Sequence, residues 1–89
     1  MYVVVRLAKN RYVGLVTDLY NEEQEVDVSL IMPKLPAKKL HRPKGIKSAT
    51  IPLPHCLIKV SLEDSGDTLG FTTDDLENLY SSKILRRPQ

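Results

Sequence analysis

The chain has one cysteine, no tryptophan and no long apolar run among its 89 residues. The single Cys56 excludes an intrachain disulfide and fits a reducing compartment. No stretch approaches the length of a membrane span, and the first residues lack the arrangement of a signal peptide. We therefore expect a soluble, intracellular protein without membrane contact. Because the sequence opens directly into a strand pattern, we also expect it to be one domain of a longer protein.

Residues that could carry catalysis or hold a metal are scarce and badly spaced. His55 and Cys56 are neighbours, so their side chains point apart in an extended chain, and His41 is distant from both in sequence. The chain contains no Cys-x-x-Cys or His-x-x-x-His spacing and no glycine-rich phosphate loop. We therefore expect no enzyme activity, no cofactor and no metal site, with Cys56 as a small buried apolar residue.

Two apolar runs joined by an acidic segment dominate residues 11–32. The second run alternates between apolar and polar residues over positions 26–32, which is typical of a half-buried strand. The joining residues 21–25 are too polar for a core, so the two runs predict a long antiparallel hairpin. Gly14 interrupts the first run, and a glycine inside a strand favours a sharp bend or a bulge.

Shorter strand patterns lie on both sides of this hairpin. Residues 2–7 are largely apolar on both faces, which predicts a strand that is covered on both sides or lies at a barrel seam. Residues 48–53 and 57–60 form short strands, and the prolines near the first of them place it at an edge. These short strands with tight turns predict a mainly β fold, a small five-stranded antiparallel barrel of the SH3-like, Tudor-like type, over residues 1–62.

The last part of the chain, residues 63–89, predicts a polar linker and a short helix. Polar residues occupy positions 61–70 almost without interruption. Thr72 and Asp75 then have the spacing of a capping box, in which each satisfies a free amide of the other. We expect the helix to cover residues 73–83.

The expected helix has one apolar face. Phe71 and Leu76 are spaced as a hydrophobic staple, which fixes the angle at which the chain enters a helix. A helix this short is marginal by itself, so we expect it to pack on the barrel or on a partner. The interface residues are Leu76, Leu79 and Tyr80.

Charge is distributed unevenly, although the net charge is only +2. Six of the 13 basic residues lie within positions 34–47, and five of the 11 acids lie within positions 18–27. We therefore expect a barrel with electrically distinct ends. The basic segment predicts an alternative function, in which the barrel binds DNA or RNA phosphates in a salt-sensitive way. The residues of this alternative site are Lys38, Lys39, Arg42, Lys44 and Lys47.

The strands of the barrel carry a resemblance to known domains. The segments YVVVRL and YVGLV resemble the opening of Tudor-like or KOW-like SH3 barrels. Almost the whole chain resembles a small domain of animal proteins derived from mobile elements, which often follows a transposase or DNA-binding region. The matching segments are EVDVSLIMP at 25–33, HRP at 41–43, TIPL at 50–53 and HCL at 55–57. Arg42 and Thr50 stand where that pattern has aromatic residues.

The resemblance implies a binding domain of a nuclear, chromatin-associated or transposon-derived protein. Readers of methylated lysine or arginine need an aromatic cage, and two suitable tyrosines are too few to build one. We instead predict a protein-interaction module that accepts a peptide or protein beside an exposed strand edge. Tyr12, Tyr20 and Ile31 are the predicted groove residues. Self-association as a homodimer through the apolar helix face stays open as a variant.

Overall fold

The computed structural model describes residues 1–37, 39–41 and 47–86. Within these residues the chain forms eight strands, one 3₁₀ turn and one α-helix. In chain order they are β1 (Tyr2–Leu7), β2 (Asn10–Tyr20), β3 (Glu25–Leu35), β4 (Lys39–His41), β5 (Ser48–Pro52), the 3₁₀ turn (Leu53–His55), β6 (Cys56–Val60), β7 (Glu63–Asp64), β8 (Thr68–Gly70) and α1 (Thr73–Ser81).

The predicted hairpin is confirmed as a long antiparallel ribbon of β2 and β3, which have 11 residues each. Its register runs from Arg11 opposite Leu35 to Tyr20 opposite Glu25. Eleven residues of straight strand span roughly 35 Å, so the two ends of the ribbon are well separated. We call the end with Arg11 and Leu35 the open end, and the end with the turn of residues 21–24 the closed end.

The ribbon is the middle of a curled antiparallel sheet. β1 pairs with β2, β6 pairs with β1, and β5 pairs with the first half of β3. The 3₁₀ turn joins β5 directly to β6, and its Leu53 amide donates to the carbonyl oxygen of Gln24. The structure therefore confirms the predicted fold class, a mainly β chain whose sheet curls into a half-barrel and carries one short C-terminal helix.

Both faces of the sheet are covered, as the apolar residues on both faces of β1 predict. Val4 belongs to one buried cluster, whereas Val3 and Val5 belong to another. The helix-side cluster consists of Val4, Val13, Ile31, Leu35, Leu40, Val60, Leu69 and Leu79. The barrel cluster consists of Val3, Val5, Val26, Val28, Leu30 and Ile51. Removing these side chains from water drives the folding of the domain.

Three short strands form a second small sheet on the helix side. β4 pairs with β3, and β8 pairs with both β4 and β7. Leu40 and Leu69 lie opposite each other in this sheet and are buried. The sequence predicts a polar linker where β7 and β8 form. Strands of two and three residues with one apolar side chain offer too little alternation to detect.

The helix begins at the predicted capping box. Thr72 Oγ1 accepts a hydrogen bond from the Asp75 amide, and Asp75 Oδ2 accepts one from the Thr72 amide. The same carboxylate accepts from the amides of Ser61 and Leu62, at 2.8 Å each. One buried side chain therefore holds the helix start against the residues that follow β6. The helix ends at Ser81, two residues earlier than predicted.

The helix packs on the chain's own sheet. Leu79 is fully buried and belongs to the helix-side cluster together with Val4 of β1 and Val13 of β2. Among the described residues, no helix combines the length and the apolar character that a membrane crossing requires.

Candidate functional site: a basic-rimmed apolar groove

A groove of about 970 Å³ lies between α1, the residues that follow it and the open end of the ribbon. Its wall is apolar and consists of Pro36, Ala37, Phe71, Leu76, Tyr80, Ile84 and Leu85. Its edge carries three cations, Arg11, Lys83 and Arg86, which we call the basic rim. All but one of the wall residues are half-buried, so the wall keeps apolar surface in reach of solvent.

The chain reverses direction after α1 and so forms one side of the groove. Lys83 takes a left-handed backbone conformation with φ of 60°. Its amide donates to the carbonyl oxygen of Tyr80, and the Ile84 amide donates to that of Leu79, at 3.0 Å each. This pair of bonds defines a Schellman motif, in which glycine is the commonest residue at the left-handed position. Because lysine occupies it here, the turn places a positive charge at the groove.

One hydrogen bond joins the two halves of the groove. Arg11 Nη1 donates to the carbonyl oxygen of Ile84 at 3.3 Å, which links the start of β2 to the residues after the helix. Arg11, Lys83 and Arg86 are all exposed. The groove can therefore take up apolar side chains while its rim attracts carboxylates or phosphates.

The predicted groove of Tyr12, Tyr20 and Ile31 does not form. Ile31 is 1% exposed and lies in the helix-side cluster, so it is not available to a partner. Tyr12 packs against the barrel cluster, and Tyr20 lies at the closed end of the ribbon. The reason for the difference is that β3 is covered on both faces, so that Leu30 and Ile31 are both buried despite being neighbours.

Tyr20 belongs to a polar network instead. Its hydroxyl donates to Asp27 Oδ2 at 2.8 Å, and Thr50 Oγ1 donates to Asp27 Oδ1 at 2.6 Å. The bonds from Thr50 and Tyr20 lower the pKa of Asp27. The same bond to Asp27, together with the negative charges of Asp27, Asp18 and Glu23, raises the pKa of Tyr20. The carboxylates of Asp18, Glu23 and Asp27 therefore lie near Tyr20 at the closed end of the ribbon.

The predicted helix interface divides between two roles. Leu79 is an anchor in the core, whereas Leu76 and Tyr80 line the groove. The predicted staple residue Phe71 lines the groove as well. Helical periodicity identified these apolar residues, but it could not indicate which of them the sheet covers.

Two residues of the alternative nucleic-acid site, Lys39 and Lys47, are exposed. The other three, Lys38, Arg42 and Lys44, lie outside the described residues.

The residues considered for catalysis stay apart from the groove. Burial raises the pKa of the half-buried Cys56 thiol, which disfavours the reactive thiolate. His41 and His55 are exposed and, like Cys56, they do not line the groove. Within the part of the chain that the structure describes, no three His, Cys, Asp or Glu side chains are grouped so that they could hold a metal ion.

The fold and the groove define a small, mainly β half-barrel domain with an apolar, basic-rimmed surface site. No protein-family model matches the chain, and no curated protein or solved structure matches it significantly.

Proposed function

We propose that the chain is a non-enzymatic protein-interaction module and that the groove beside α1 is its binding site. The observation that carries this proposal is the combination of a concave apolar wall with a basic rim. Burial of one leucine or phenylalanine side chain from a partner would contribute about 1.5–3 kcal/mol. One or two such anchors give the modest affinity that is typical of small, transient interfaces.

The groove fits this role better than a free strand edge does. Among the described residues, β6 pairs with β1 and with no other strand, and Leu57 on this strand is 39% exposed. Such an edge can accept a partner strand through main-chain hydrogen bonds. However, Leu57 is a single apolar side chain, whereas the groove offers seven wall residues around one concave volume. A substitution at the edge of β6 is therefore the control for a substitution in the groove.

The experiment is a selection of short random peptides displayed on phage, with the immobilised domain as bait. We expect the selected peptides to share an apolar anchor and to shift the amide NMR signals of residues 36–37 and 71–86. Leu76→Lys should weaken this binding about 10- to 100-fold, because it places a charge in the apolar wall. Leu57→Lys should leave it intact. Binding that is lost in Leu57→Lys and retained in Leu76→Lys would overturn the proposal.

Nucleic-acid binding is the second candidate function, because Lys39 and Lys47 are exposed and the groove has a basic rim. The test is fluorescence anisotropy with generic duplex and single-stranded DNA at about 50 mM salt, where screening is weak. If the DNA binds, the double variant Lys39→Glu/Lys47→Glu should reduce its affinity without changing the fold. If there is no binding at this salt concentration, this candidate is excluded. The nuclear, chromatin and mobile-element settings implied by the resemblance stay predictions.

A further inference from the structure

The closed end of the ribbon carries exposed acidic side chains, which are opposite in charge to the basic rim of the groove. Asp18, Glu22 and Glu23 are exposed around it. Leu19 and Tyr20 lie among these acids, and they are 55% and 40% exposed. The two exposed side chains are therefore surrounded by negative charges, which the positive charges of the basic rim attract.

The two surfaces belong to opposite ends of one ribbon. Arg11 of the basic rim and Tyr20 of the closed end are both in β2, nine residues apart, which corresponds to at most about 30 Å of extended strand. The longest dimension of the molecule is 42 Å. Because β2 is paired with β1 and β3, the hairpin cannot fold back onto the groove of its own chain. A contact between these two surfaces therefore requires two molecules.

We infer that the groove of one copy receives the closed end of a second copy, so that the chain associates head to tail. This inference rests on the proposed function, because it assigns an occupant to the same groove. Leu19 of the second copy contacts the apolar wall, and its neighbouring carboxylates face Lys83 and Arg86. The contact joins two different surfaces, so each added copy leaves one groove and one hairpin free.

Charge reversal separates the two halves of this contact. The groove variant Lys83→Glu/Arg86→Glu keeps a normal hairpin, and the hairpin variant Glu22→Lys/Glu23→Lys keeps a normal groove. All four side chains are exposed, and circular dichroism of each variant should match that of the wild type. Each variant alone lacks one partner surface of the contact and should sediment as a monomer. An equimolar mixture should associate as the wild type does, because the wild-type groove meets the wild-type hairpin and the acidic groove meets the basic hairpin.

The measurement is sedimentation velocity at increasing protein concentration, up to about 1 mM, which covers weak transient contacts. The wild-type sedimentation coefficient should rise with concentration and fall again at high salt. The inference is overturned if the wild type stays monomeric, if either variant associates as the wild type does, or if the mixture stays monomeric. A monomeric wild type whose groove still binds selected peptides would refute the inference and leave the proposed function standing. If the groove bound neither the selected peptides nor a second copy, the inference and the proposed function would both be refuted.

Discussion

Gly14 and Val28 approach so closely across the ribbon that a Cβ atom on Gly14 would lie 2.9 Å from the Cβ of Val28. These residues are not direct partners, since Gly14 pairs with Leu30 and Val28 pairs with Val16. Diagonal neighbours in a flat sheet lie about 7–8 Å apart, so the sheet is strongly bent at this point. The missing side chain of Gly14 therefore allows the ribbon to curl around the barrel cluster.

Gly14→Ala should destabilise the domain by about 1–3 kcal/mol, because the added methyl group must displace a buried neighbour. The measurement is the midpoint of urea unfolding. Gly70→Ala is the matched control, since a Cβ atom there would meet no heavy atom within 4 Å. Equal effects of the two substitutions would contradict the close approach at Gly14.

Asp75→Asn should lower the free energy of unfolding by about 2–3 kcal/mol. The Asp75 carboxylate accepts hydrogen bonds from the amides of Ser61, Leu62 and Thr72, and an amide group has only one oxygen to replace two. Asp74→Asn is the control, because Asp74 lies exposed in the same helical turn. Thermal unfolding of both variants checks this prediction, and a larger loss in Asp74→Asn would refute it.

A fall in pH should lower the free energy of unfolding of the wild type more than that of the Asp75→Asn variant. Burial by itself raises the pKa of Asp75, but the hydrogen bonds from Ser61, Leu62 and Thr72 outweigh it and hold the pKa below its ordinary value. A lowered pKa in the folded state contributes stability above the ordinary pKa, and this stability is lost as the pH falls through the folded value. Unfolding curves from about pH 6 downward should therefore converge for the two proteins below about pH 4. Parallel curves would contradict the role of the carboxylate.

The elements that were predicted correctly are those with a recognisable residue pattern within a short stretch of the sequence. The Thr72 and Asp75 capping box is defined by a spacing of three residues, and the ribbon by the alternation in β3. The groove has no such signal, because its lining comes from Arg11, from residues 36–37 and from residues 71–86. Only the folded chain brings these segments together, so the sequence identified three wall residues, Phe71, Leu76 and Tyr80, without identifying the site.

The error at Ile31 has a related cause. Alternation predicts which residues of a strand share a face, but not whether a second layer covers the other face. Leu40, Leu69 and Leu79 come from distant parts of the chain and cover Ile31 in the helix-side cluster. The sequence shows no local trace of that covering layer.

The pKa of Tyr20 should fall towards its ordinary value in Asp27→Asn. The hydrogen bond to Asp27 and the charge of Asp27 are the main causes of the raised pKa, and the charge of Asp18 contributes less. Asp18→Asn should therefore lower the pKa of Tyr20 by a smaller amount. Titration of the tyrosine ring-carbon NMR signals measures both shifts. The network is refuted if Asp18→Asn has the larger effect.

Calorimetric titration of one selected peptide into the wild type, Leu76→Lys and Leu57→Lys measures binding at the groove beside α1. We expect Leu76→Lys to weaken binding about 10- to 100-fold relative to the wild type, because one buried apolar contact is lost. Leu57→Lys should bind within about twofold of the wild type, since the edge of β6 takes no part. Unchanged binding by Leu76→Lys, with its fold intact, would show that the groove is not the binding site.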